Sequence, residues 1–148
     1  MQEIINIISV ALPLVFLYIL MTFCIRTVRH PKRIITENNG MKKISTNPSI
    51  FGGSSQKQYY YDDEYLYEVK NDVTCKIAFN NIIQIKPGYT KINNRRNWLV
   101  SYHKNGVRKQ VEFFHNLTLF NHNFSGFLLA VKQANPDADV KTLSFFNL

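Results

Sequence analysis

Few side chains in this sequence could do covalent or metal chemistry: His30, His103, His115, His122 and Cys75. A metal centre would need several His, Cys or carboxylate ligands at short spacings. A covalent mechanism would need a nucleophile beside a base, and phosphate chemistry a glycine-rich loop. The patterns HExxH, CxxC, GxSxG and GxxxxGK are all absent. His115 and His122 flank a strand-to-helix junction and read as polar surface or capping residues, not as a metal pair. Cys75 alternates with Val73 and Ile77 and reads as an inert buried thiol. The expectation is a protein that is not an enzyme and holds no cofactor and no metal.

Charge is the stronger signal. The net charge is +8, and it is unevenly spread. Arg26, Arg29, Lys32, Arg33, Lys42 and Lys43 stand against Glu37 alone, whereas Asp62, Asp63, Glu64, Glu68 and Asp72 form an acidic stretch. Lys86, Lys91, Arg95, Arg96, Lys104, Arg108 and Lys109 follow with no acid among them. This last group is the candidate binding patch, and such a patch favours an anionic partner. A protein partner and anionic lipid headgroups both suit it, the latter at ~1 kcal/mol per basic residue near a charged surface. A solvated rim that keeps a small domain soluble is the plain alternative. Trp98 with Tyr89 and Tyr102 superficially forms a stacking platform for nucleic acid. Alternation puts Trp98 and Tyr102 on a core face with Val100, which argues against that partner.

The residues before the patch must place it. Ile4 to Ile25 is uncharged and mostly apolar. As a helix it would reach ~33 Å, enough for a hydrocarbon core of about 30 Å, so it reads as a single transmembrane span, residues 1–25. A cleaved signal peptide would want a basic start, a shorter core and small residues at its end. Here Gln2 and Glu3 lead, and Thr22-Phe23-Cys24-Ile25 follows. Pro13 reads as a harmless bend. Arg26, Arg29, Lys32 and Arg33 after the span, with no Lys or Arg before it, predict the amino terminus outside and the rest in the cytoplasm, at the inner membrane. Cys24 and Cys75 are then free thiols, and the sequons at Asn116 and Asn123 are unused.

Residues 26–56 collect Pro31, Asn38-Asn39-Gly40, Asn47-Pro48 and Gly52-Gly53, and read as a basic juxtamembrane linker. A short strand at Met41 to Ser45 belongs either to that linker or to the domain of residues 57–148. From Tyr65 the period is two: Tyr65 to Lys70 and Val73 to Phe79 make a hairpin across Asn71-Asp72. Ile82 to Lys86 is a third strand ended by Pro87-Gly88, and Tyr89 to Asn97 is a long basic loop. Trp98 to His103 and Val107 to Phe113 form a hairpin across Asn105-Gly106, a pair suited to positive φ at both turn positions. Phe124, Phe127, Leu128 and Val131 have helical spacing, with Asn121 or Asn123 as cap and Asn135-Pro136 as stop. The tail, with Val140, Leu143, Phe145 and Phe146, packs back on the domain.

These elements give an α+β fold: an antiparallel β-barrel or curved sheet covered by one amphipathic helix. The runs Tyr65-Leu66-Tyr67, Ile77 to Ile85, Trp98 to Tyr102, Val111-Glu112-Phe113 and Phe124 to Val131 resemble the bacterial pleckstrin-homology-like domains, over about residues 57 to 140. The resemblance implies a small barrel closed by a carboxyl-terminal helix and a binding scaffold, without naming a ligand. The basic first hairpin that binds phosphoinositides in that family is acidic here, at Asp62, Asp63 and Glu64, so the lipid site does not transfer. The functional expectation is a membrane-anchored, non-enzymatic module that docks a protein partner. An anionic-lipid module and a membrane-anchored immunity protein against a bacterial toxin are the alternatives.

Overall fold

The computed structural model describes residues 2–29, 33–47, 57–71, 73–144 and 146–148. The chain opens with helix α1 (Gln2–Arg29), with Pro13 inside it. Its described side chains, at 9 and 11–26, include Leu12, Phe16, Leu17, Tyr18 and Phe23, all well exposed. Among the described residues no helix is long and apolar enough to cross a membrane. The expected transmembrane span, the single-pass topology and the inner-membrane location are therefore not supported. Of the residues expected to orient such a span, Arg26 is an exposed side chain on α1 and Arg29 ends the helix, while Lys32 lies outside the described residues. Arg33 faces the folded part, with its guanidinium 5.3 Å from the Phe120 ring centre.

Among the described residues nine strands form two sheets. One contains β1 (Lys42–Lys43), β3 (Gln58–Tyr61), β4 (Tyr65–Lys70) and β5 (Val73–Ala78), in the order β1-β3-β4-β5. The other contains β2 (Ser45–Thr46), β6 (Ile82–Ile92), β7 (Arg95–Lys104), β8 (Val107–His115) and β9 (Asp139–Val140), in the order β2-β8-β7-β6-β9. An antiparallel barrel or curved sheet was the expectation, and two features depart from it. The sheets remain separate, and β9 runs parallel to β6, making the second sheet mixed. The break lies where a 3-10 turn, Phe79–Asn81, carries the chain from β5 to β6 without pairing those strands. An α+β class still fits the elements.

The segment Met41 to Thr46 belongs to both sheets. Lys42 and Lys43 pair with Tyr61 and Tyr60, Ser45 and Thr46 pair with His115 and Phe114, and Ile44 between them is fully buried. Upstream, Asn123 fixes residue 35: its Oδ1 accepts from the Ile35 N–H at 2.7 Å and its Nδ2 donates to the Ile35 carbonyl at 2.7 Å. Helix α2 (Asn123–Ala134) comes close here because residue 126 is glycine; a Cβ there would stand 2.6 Å from the Tyr61 hydroxyl.

Helix α2 buries Phe124, Phe127, Leu128 and Val131, the stripe its spacing predicts. Phe124 meets Trp98 at 5.0 Å and Phe113 at 5.9 Å, while Phe127 meets Tyr61 at 5.7 Å and Phe79 at 5.9 Å. These edge-on aromatic contacts tie both sheets to the helix. Asn135 ends α2, as expected from the following proline. Of the tail, Leu143 is buried, Phe146 is exposed and Phe145 lies outside the described residues.

Candidate docking edge and cleft

Strand β6 runs on through Ile92, where the sequence suggested a loop from Tyr89 to Asn97. Asn93 and Asn94, at φ 48 and 59, make the turn into β7. The register between β6 and β7 slips between Pro87 and Lys91. Gly88 is needed at this irregularity, since a Cβ would lie 2.3 Å from Asn97 Oδ1, which accepts from the Thr90 N–H at 3.1 Å.

This hairpin divides the basic residues. Lys91, Arg95 and Arg96 stand at one end of β7, with Lys91 paired to Arg96, and Lys104, Arg108 and Lys109 at the other. At ~3.4 Å per residue the two ends are ~30 Å apart. Lys86 sits between them, paired with Leu99. Several of these cations have local partners: Arg95 Nη1 donates to the His115 carbonyl at 2.9 Å, and Lys104 Nζ lies 3.4 Å from Cys75 Sγ. The Arg108 guanidinium lies 3.5 Å from Ser101 Oγ.

Strand β8 borders the second sheet. Its inner neighbour β7 pairs from Val107 through Phe114, whereas β2 covers only Phe114 and His115 on the other side. Among the described residues, Val107 to Phe113 thus present an uncovered backbone edge. Val107, Arg108, Lys109, Gln110 and Glu112 are exposed, while Val111 and Phe113 turn into the core. A cleft of about 440 Å³ lies beside this edge, lined by Gln110 to Phe114 together with Ser45, Lys57 and Tyr59.

Lys57 and Tyr59 belong to a charged and hydrogen-bonded unit. Tyr59 donates its hydroxyl to Glu68 at 3.2 Å, and Lys57 Nζ pairs with the other Glu68 oxygen at 2.9 Å. Burial, and then the Glu68 charge, push the Tyr59 hydroxyl well above the usual phenol range, so it remains a donor. Glu112, also in the lining, accepts from Asn97 Nδ2 at 3.2 Å. The sequence showed Glu68 only as part of an acidic stretch and did not single out Tyr59, because the unit joins residues of β3, β4 and the chain just before them. The alternation of Tyr59 and Tyr61 as inward residues was the available signal.

The histidines and Cys75 sit differently from the expectation. His115 and His122 are buried core residues. Nδ1 of His115 accepts from the Leu117 N–H at 3.3 Å, and its ring stacks on Phe124 at 5.3 Å. Burial, then Arg95, lowers its pKa to about 4. Nδ1 of His122 accepts from the Arg33 N–H at 3.3 Å. Cys75 is only half-buried, because β5 leaves the core toward Val73, which is 71% exposed. His103 is exposed, and His30 lies outside the described residues. Among the described residues no three His, Cys, Asp or Glu side chains gather as a metal site would require.

No family model matches this chain, and no curated protein matches it. The pleckstrin-homology-like resemblance is thus not supported by either comparison, and the unclosed pair of sheets departs from the barrel it implied.

Proposed function

We propose that this chain is a non-catalytic docking module that takes a protein partner along the exposed edge of β8. One observation carries the reading: a strand of the main sheet, β8, whose backbone from Val107 to Phe113 is uncovered among the described residues and borders a cleft. Unpaired strand edges are templates for a further strand, with main-chain hydrogen bonds giving affinity and alternate side chains giving selectivity. Charges on such an edge discourage indiscriminate pairing. Arg108 therefore favours a partner strand that offers a carboxylate opposite it. The lipid reading is weaker, because a flat bilayer would have to meet basic residues at both ends of β7.

The test is photo-crosslinking in the cell of origin, with a benzophenone amino acid at position 110 of the full chain and, as control, at the exposed Leu129 of α2. The proposal expects a discrete protein adduct from position 110, weakened by Arg108→Glu, and none from position 129. Equal labelling from both positions, or no protein adduct from 110, would contradict it.

A further inference from the structure

Among the described residues, the uncovered part of β8 has two fixed ends. The Asn105-Gly106 turn, at φ 54 and 74, closes one, and Phe114, already paired with Thr46, closes the other. Gln110 lies midway between them. We propose that this edge pairs antiparallel with β8 of a second copy of the chain, about a two-fold axis at Gln110, joining the two five-stranded sheets. The inference rests on the docking reading of the same edge and names the partner.

The sequence around Gln110 is complementary to its own reverse. In this register Arg108 faces Glu112 of the second copy and Glu112 faces its Arg108, so symmetry creates the ion pair twice. Opposed residues of an antiparallel pair share a face. Pairing with His103, Ser101 and Leu99 of β7 puts Arg108, Gln110 and Glu112 on one face. On the other face, Val107, 58% exposed, would stand opposite Phe113 of the second copy, and Lys109 opposite Val111.

Neighbouring registers fail for separate reasons. A slip of one residue would place the core-facing side of one copy beside the solvent face of the other. A slip of two toward the turn sets Lys109 against Lys109, and a slip of two the other way runs the second copy into Thr46 of β2.

The experiment is sedimentation of the full chain, with circular dichroism to confirm folding of each variant. Because α1 also exposes apolar side chains, mass alone does not identify the interface, and exchanging the charges does. Wild type should dimerise. Arg108→Glu or Glu112→Arg alone places like charges opposite one another twice and should weaken the dimer about tenfold. An equimolar mixture of the two variants pairs every acid with a base and should restore it, as should both changes on one chain. A monomeric wild type, a dimer unmoved by either reversal, or a mixture that stays monomeric would overturn the proposal. A monomeric chain that still crosslinks to a different protein from position 110 would also overturn it, while leaving the docking reading in place.

Discussion

Tyr59 stacks on Phe113 with ring centroids 4.8 Å apart and planes at 28°, and through this contact the first sheet meets β8 of the second. Both rings are almost fully buried. Removing either, as Tyr59→Ala or Phe113→Ala, should lower the unfolding free energy by about 3–5 kcal/mol in urea titrations. The double variant should cost less than the sum, because the same contact is lost in both. Tyr59→Phe keeps the ring and removes only the bond to Glu68, so about 1 kcal/mol is expected. Strict additivity of the two alanine variants would show that the stack does not join the sheets.

His115 predicts a pH dependence. Its pKa is about 4 in the folded chain, against about 6.5 when unfolded. The unfolded state therefore binds the extra proton first as pH falls. The stabilisation is complete above pH ~6.5 and is lost progressively toward pH ~4, by about 3 kcal/mol in all. His115→Gln should flatten this part of the stability profile relative to wild type. Parallel profiles between pH 4 and 6.5 would mean that His115 does not titrate as a buried neutral ring.

Asn123 and Asn121 should differ sharply. Asn123 serves both backbone groups of Ile35 and also donates to the Lys43 carbonyl at 2.9 Å, while Asn121 Oδ1 accepts only from the Asn123 N–H at 3.0 Å among its side-chain bonds. Asn123→Ala leaves the Ile35 groups without these partners and should cost about 3 kcal/mol. Asn121→Ala should cost about 1 kcal/mol, as for one lost hydrogen bond. Amide exchange at Ile35 should accelerate in the first variant alone, and equal acceleration in both would contradict the assignment.

These sites differ in how far the sequence announces them. The Tyr65 to Ala78 hairpin, the Asn105-Gly106 turn and α2 were legible because each sets an apolar period against a core or needs a turn residue of special geometry. The hairpin at Asn93-Asn94 was not. Its strands project past the core, so Thr90, Lys91 and Arg95 carry no alternation of apolar residues and look like a loop. A short strand at Met41 to Ser45 was expected, but its division into β1 and β2 is too short for a period to register, and Ile44 is buried where the chain crosses between sheets. The basic residues were visible one by one, yet their division between the ends of β7 depends on the hairpin that was missed. The cleft unites Lys57 and Tyr59 with Gln110 to Phe114, a juxtaposition that only tertiary pairing creates. Membrane insertion was inferred from Ile4 to Ile25 by hydropathy alone, and no described helix meets the length and apolarity that it requires.

The central claim, that the β8 edge docks a protein strand, is tested most directly by amide hydrogen exchange on the isotope-labelled full chain, dilute and then mixed with extract from its own cells. The account predicts that amides between Val107 and Phe113 that face away from β7 exchange quickly in the dilute chain and slow at least tenfold in the extract, with β4 and β5 unchanged, a factor that corresponds to about 1.4 kcal/mol of added protection. Unchanged exchange across Val107 to Phe113, with new protection appearing elsewhere on the chain, would contradict it.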